Sequence, residues 1–292
     1  MTTIAGQPDP VAAPMARRRA PKVTGRLAVG LGLLALVVLV ALLGPVVGKY
    51  DTEQIVSSDA LAGPSGTHWL GADNFGRDMF VRMAVGYRIS LEVAVASVAI
   101  GLVAGVPLGL LSGYGGNVVD NVVMRPLDVI MAFPAVLLAI VVMAILGTGL
   151  GVLMLAIGIV YVPIIARVMR ASTLETSSQL YVEAAGARGA SHRRILLRHV
   201  LPNSLGPVIV QASILLGIAV LLESALSFIG IGVKPPEPSL GVMLAEGRDF
   251  MATSTWIVAV PGLAIMLLVL TFNLIGDGLH SRLDPRGKAR LR

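Results

Sequence analysis

Cysteine is absent from the 292-residue chain. That excludes thiolate nucleophiles, disulfides and Cys-ligated metals, and it leaves the redox compartment unmarked. Charge is scarce as well: Asp, Glu, Lys and Arg make up 14% of residues, against about 25% in soluble domains. A chain so poor in charge, and 55% hydrophobic, has little surface meant for water. Two catalytic signatures are also missing. No G-x-x-x-x-G-K-[ST] run occurs, so nothing here can cradle ATP phosphates as a P-loop does. No H-E-x-x-H occurs, and His68, His192, His199 and His280 all fall outside the long apolar runs. Those runs hold no Ser/His or paired-Asp constellation, so a membrane enzyme finds no residues to work with.

What the chain does have is apolar length. Residues 27–48 are uncharged over 22 positions, roughly 33 Å of helix at 1.5 Å per residue, enough to span a bilayer. No small-residue cleavage pattern closes that run, so it reads as a helix and not as a signal peptide. Five more runs qualify, at 89–113, 127–147, 149–166, 205–232 and 256–276. The fold class expected is therefore all-α integral membrane with six transmembrane helices. The link Gly147-Thr148-Gly149 is so short that the third and fourth spans must be antiparallel neighbours. No internal repeat of the kind found in inverted-repeat transporters is visible. Pro107, Pro134, Pro163 and Pro261 lie within spans, where proline can kink a helix beside a cavity.

The net charge of +6 is not a nucleic-acid footprint, because the basic residues sit at the ends of apolar runs. Seventeen of the 23 Lys and Arg residues fall in the two tails, the 114–126 loop and the 167–204 segment; six fall in the 49–88 and 233–255 loops. By the positive-inside rule both termini are expected in the cytoplasm. The organisation expected is a basic disordered tail at 1–24, a first transmembrane helix at 25–48, and an extracytoplasmic segment at 49–88 carrying an interfacial helix. A five-helix core follows at 89–280, with a cytoplasmic segment at 171–204 and an outer loop at 233–255. A basic tail closes the chain at 281–292.

The segment VEAAGARGASHRRILLRHVLPN, residues 182–203, is too short and too charged to cross a bilayer. Glu183, Ala184 and Ala185 favour helix, Gly189 suits a chain reversal, and Ser191 suits an N-cap. A second short helix should run to about Val200, with an apolar side and an Arg/His side, and stop at Pro202. Two short helices about a glycine turn are expected near the inner membrane surface.

The spacing of Glu183-Ala184-Ala185, Gly189 and Leu201-Pro202 resembles the EAA motif of binding-protein-dependent ABC importer permeases. His199-Val-Leu-Pro-Asn resembles the peptide/nickel branch of that family. Residues 70–91, 221–243 and 273–285 are similar to the C-type permease of oligopeptide and dipeptide importers, except that His280-Ser281-Arg282 stands where an Arg-Asp pair is commoner. The resemblance implies a type I importer permease fold and a heterodimer with a homologous permease. It implies two ABC ATPase subunits that carry ATP and Mg, and an extracytoplasmic binding protein that delivers peptide. This chain itself would bind no cofactor, metal or nucleic acid, and would touch membrane lipid. Glu183, Ala184, Ala185, Gly189, Ser191, Arg193, Arg194, Arg198, His199, Leu201 and Pro202 become the ATPase-coupling residues. Nickel-chelate, glutathione and heme importers use similar permeases, and a channel without an ATPase is the alternative outside the class.

Two further sets of charges stand out. Glu223 lies within the fifth apolar run, where an exposed charge costs roughly 2.5–3.5 kcal/mol on insertion scales. It must face the translocation path or subunit interface, or tie its helix to a neighbour. Asp73, Arg77, Asp78 and Arg82, with Arg88, form an outer stretch whose spacing of about four suits an interfacial helix in reach of the binding protein.

Overall fold

The computed structural model describes residues 23–283, and the tails expected on either side lie outside the described residues. Ten helices account for the fold: α1 (Val23–Val47), α2 (Met79–Tyr114), α3 (Gly116–Met131), α4 (Ala135–Leu146), α5 (Leu150–Ser177), α6 (Leu180–Ala187), α7 (His192–Ile195), α8 (Leu201–Phe228), α9 (Leu240–Gly247) and α10 (Trp256–Leu283). Among the described residues the only β-pairing is an isolated bridge between Ala72 and Asp78. Five helices or helix runs are long and apolar enough to cross a membrane, and α3 with α4 makes a sixth if the bent pair counts as one span. The all-α, multi-span architecture expected from composition is the one found.

The most extensive packing joins α2 to α5, and glycine makes it possible. Gly101, Gly105, Gly109 and Gly113 recur every fourth residue along one line of α2. A Cβ built on Gly101 would lie 2.9 Å from the Tyr161 Cβ, and one on Gly105 or Gly113 would lie 2.8 Å from the Val162 or Arg170 carbonyl oxygen. A Cβ on Gly109 would overlap the Ala166 carbonyl oxygen. Gly158 returns the favour from α5, facing Ile100. Lipid tails are as apolar as leucine, so such helices associate by close packing and not by the hydrophobic effect; small residues allow it. Tyr161, Ile165, Ala166 and Met169 of α5 are all buried in this seam.

The third span is not straight. α3 and α4 meet at 94°. Pro134 sits just before α4 with ψ of 133°, and a proline disfavours helix at the residue before it, so the chain breaks at 132–134. The run expected at 127–147 is therefore divided, and the 114–126 stretch expected as a loop is the first part of α3. Asp120 and Asp128 pin α3 to α5: Arg170 Nη2 lies 2.6 Å from Asp120 Oδ2, and Arg167 Nη2 lies 2.7 Å from Asp128 Oδ1. Gly147 (φ 93°) and Gly149 (φ 148°) then turn the chain between α4 and α5, as the short link requires.

The start of the second span also differs from expectation. α2 begins at Met79, ten residues before the apolar run at 89, and Asp78 caps it by accepting from the Val81 N–H at 3.0 Å. Among the described residues of the 48–78 segment the only helical stretch before it is the single 3-10 turn Ser57–Asp59, and the cap launches the spanning helix directly. At one end of the bundle lie α6, α7 and the end of α2, where the Tyr114 hydroxyl and His192 Nδ1 share a 3.0 Å hydrogen bond. The start of α1 and the end of α10 face one another, with Arg26 3.9 Å from Asp277. At the opposite end lie the 48–78 segment, α9 and the start of α10.

The seam yields a test. Gly109→Val should destabilise the chain by about 3 kcal/mol or more through overpacking, whereas Gly151→Ala, where a new Cβ meets nothing within 4 Å, should be tolerated. Thermal aggregation of detergent-solubilised protein distinguishes the two.

Candidate functional site

The EAA segment folds as a hairpin of two short helices. In α6, Val182 and Ala185 are buried, while Glu183 and Ala184 face outward. Gly189 adopts φ of 80° and its N–H reaches the Gly186 carbonyl at 2.9 Å; the Ala190 N–H reaches Ala185 at 3.2 Å. No atom lies within 4 Å of a Cβ built on Gly189, so the left-handed backbone, and not crowding, requires glycine there. Ser191 caps α7 through its Oγ, which accepts from the Arg194 N–H. Ile195 and Val200 are buried, and Ile195 packs beneath Gly186.

Pro202 does not end the second helix, contrary to the sequence expectation. Residues Leu196–Val200 form a π-helical turn that runs straight into α8. The Leu201 N–H bonds to the Leu196 carbonyl, five residues back, and Pro202 then sits in the first turn of α8, where a missing N–H costs little. The Asn203 side chain donates to the His199 carbonyl at 2.6 Å. The widened turn is thus what lets the hairpin and a spanning helix form one continuous body.

The hairpin presents a mixed face. Leu180, Tyr181 and Leu197 are exposed, and so are Arg188, Arg193, Arg194 and Arg198. Among the described residues Arg193, Arg194 and Arg198 meet no carboxylate and donate no side-chain hydrogen bond. His199 is half-buried and Leu201 follows it into α8.

Glu223 lies five residues before the end of α8 and is fully buried. Its Oε2 accepts from Ser90 of α2 at 2.9 Å and from Ser224 at 3.2 Å, and its Oε1 accepts from Ser227 at 2.9 Å. No face of this carboxylate opens to a path within the subunit. Of the two roles weighed from sequence, the geometry favours a tie between helices.

Asp73, Arg77, Asp78 and Arg82 are buried too, not spread along a surface. Asp73 takes the Phe75 and Arg77 N–H groups at 2.8 and 2.9 Å, forming a turn, and its other oxygen takes the Arg77 side chain. Glu246 Oε2 accepts from both Arg77 and Arg82 at 2.8 Å. His68 bridges two carboxylates, 2.8 Å from Asp78 and 3.2 Å from Asp59. Sequence reading missed His68 and Glu246. Glu246 lies 169 residues from Arg77, and no local pattern announces such a pair. Among the described residues no group of three or more His, Asp or Glu could hold a metal ion. An apolar groove of about 440 Å³ between α8 and α10, with Leu221, Met266 and Val269 along it, has Asn273 as its one amide side chain.

Long apolar helices, a broken third span and a two-helix hairpin between two spanning helices define a multi-pass integral membrane protein. Residues 105–288 match the model of the family described as "Binding-protein-dependent transport system inner membrane component". A dipeptide transport system permease protein DppC from Alkalihalophilus pseudofirmus is 42% identical over 261 residues, covering 89% of this chain and 86% of that one. A glutathione transport system permease protein GsiD from Pectobacterium atrosepticum is 42% identical over 264 residues, covering 90% and 88%. A di/tripeptide permease DppC from Pseudomonas aeruginosa is 41% identical, covering 89% and 88%. Among solved structures, the MetNI methionine ABC transporter in an inward-facing form matches at a TM-score of 0.59 with 20% identity, over 70% of this chain and 96% of that one. An amino acid ABC transporter with histidines matches at 0.56 with 15% identity, over 69% and 94%. The chain belongs to the binding-protein-dependent inner membrane component family: it is the permease subunit of an ABC importer, embedded in the inner membrane by several spans.

The buried ion cluster is testable on its own. Glu246→Ala leaves Arg77 and Arg82 buried without their shared acceptor and should cost about 3 kcal/mol or more. Arg248→Ala, which breaks an exposed pair with Asp249, should stay within about 1 kcal/mol. Melting temperatures of the purified subunit decide.

Proposed function

We propose that this permease imports short peptides as one half of a pair with a homologous subunit, and that its α6–Gly189–α7 hairpin is the handle by which two ATPase subunits drive it. The observation that carries this is the hairpin's exposed face. Three arginines with no side-chain partner among the described residues flank exposed Leu197, and Leu180 and Tyr181 stand clear of the bundle on α6. A chain with no P-loop needs the ATP and Mg of another polypeptide, and a rigid, charged hairpin fused to α8 is suited to receive its motion. Glu183, Gly189, Ser191, Arg193, Arg194, Arg198 and His199 belong to that contact; Ala184, Ala185, Leu201 and Pro202 shape it.

The basic excess at the hairpin end supports a cytoplasmic position for that end and for both termini. The opposite end, with the 48–78 segment and α9, then faces an external binding protein. ATP-driven closure of the motor pair pulls the hairpin and turns the path outward; release of the hydrolysis products returns it inward. Short peptides are the cargo because the relatives that cover most of this chain are named for dipeptide, di/tripeptide and glutathione transport. Glutathione is the second reading, since its permease matches with the same 42% identity as the dipeptide permease.

Gly189→Pro should abolish uptake while leaving the spans inserted, because proline cannot adopt φ of 80°. Normal uptake in that variant removes the coupling role. Affinity purification of the chain from its own membranes should bring down P-loop ATPases and a second permease; a stable, transporting chain without them overturns the importer assembly. Competition of labelled dipeptide uptake by glutathione separates the two cargoes.

A further inference from the structure

α9 is locked to three spanning helices at once. A Cβ on Gly241 would overlap the Ser224 carbonyl oxygen of α8, and one on Gly86 of α2 would lie 2.9 Å from Leu240. Gly247 lies as close to α10, with its built Cβ 2.9 Å from the Ile257 carbonyl oxygen. Leu240, Gly241, Val242, Met243 and Gly247, five of its eight residues, are buried. Each end of α9 also carries a polar clasp. At its C-terminal end Glu246 holds Arg77 and Arg82, which enter and open α2. At its N-terminal end the fully buried Ser239 caps the helix by accepting from the Val242 N–H at 3.2 Å.

Glu223 gathers the rest. It takes the hydroxyls of Ser90, Ser224 and Ser227. Ser227 Oγ in turn accepts from the Val233 N–H, which fixes the chain as it leaves α8. Among the described residues no cation touches Glu223. A carboxyl buried among hydroxyls alone adds little to stability, and an apolar side chain of similar volume is the cheaper occupant of such a site. What two carboxyl oxygens add is position, since they accept from Ser90 of α2 and from two serines of α8 and set the register of those two helices.

We infer that Glu223 is a positioning residue: it ties Ser90 of α2 to α8, one turn from Gly86 and next to Ser224, the two places where Leu240 and Gly241 seat. It thereby holds α9 as a fixed cap across the ends of α2, α8 and α10, so that these ends move as one block. α9 is then no lid. The path opens beside the block, along the faces this subunit turns to its partner, and not through a hinge between α9 and α2. The placement of this cap on the outside of the cell rests on the orientation proposed above.

The absence of cysteine makes the test clean. Met243→Cys puts one thiol on the buried side of α9, where the residue is 3% exposed, and Thr253→Cys puts one on the exposed turn after it. A membrane-impermeant maleimide is applied to intact cells carrying the whole transporter, and again to the solubilised complex. Thr253→Cys should react in cells and Met243→Cys should not. Adding Glu223→Leu should speed labelling of Met243→Cys about tenfold or more in both settings. Glu223→Gln, which can still hydrogen-bond the hydroxyls, should restore most of the protection. Should the leucine variant fail to accumulate, Ser90→Ala removes one tie and should give a rise of about threefold or more. Unchanged labelling of Met243→Cys overturns the inference. So does an equal rise at Val200→Cys, buried at the hairpin end, because that is general loosening and not a local clasp. If Thr253→Cys stays unlabelled in cells but reacts after solubilisation, the orientation fails and the solubilised comparison still decides the clasp.

Discussion

The α2–α5 seam is the constraint on which the other placements rest. Two long helices lie backbone to backbone because four glycines, one per turn of α2, leave no side chain between them. In lipid no hydrophobic effect pulls helices together, so a contact must be won by dispersion at short range. With α5 fixed on α2, its Arg167 and Arg170 reach the carboxylates of α3. Its far end delivers the chain to α6. The hairpin's position at one end of the bundle is therefore a consequence of a packing line buried in the middle of it.

Polar groups do different work at the two ends. At the hairpin end cations are left without partners, and Gly189 and Ser191 shape a compact knob that holds them outward. At the opposite end charges are turned inward and paired, although Arg82 Nε and Nη1 are buried without a hydrogen-bond partner. Asp73, Arg77, Arg82 and Glu246 neutralise one another, and Glu223 is closed in by hydroxyls. An unpaired charge buried in protein is expensive, whereas a paired one mainly fixes geometry. The first end is built to be gripped, and the second is built to hold its shape.

The π-helical turn at Leu196–Val200 links these themes. A proline in a helix costs a hydrogen bond, and here the cost is absorbed by widening the turn before it. The hairpin consequently runs into α8 without a flexible joint. At the other end of α8 sits Glu223 with its tie to α2, beside Ser224 on which α9 packs. One helix thus spans the distance between the knob and the cap.

The sequence by itself determined the membrane class, the approximate spans, the lopsided basic charge and the Glu-Ala-Ala, Gly, Leu-Pro spacing. These are local or additive properties, readable from composition, run length and spacing. The turn at Gly189 and the cap at Ser191 were legible for the same reason, since each depends on a few neighbouring residues. Where local signals competed, the sequence was insufficient. Pro202 looked like a stop but opens α8, the run at 127–147 looked continuous but breaks before Pro134, and residues 73–88 looked interfacial but launch α2. Only the tertiary structure decided that Arg77 and Arg82 would meet Glu246 across more than 160 residues, and that Glu223 would meet Ser90 of another helix and Ser227 of its own. Such partners are chosen by how helices pack, and packing in lipid depends on which surfaces can approach closely, a property that no short stretch of sequence carries alone.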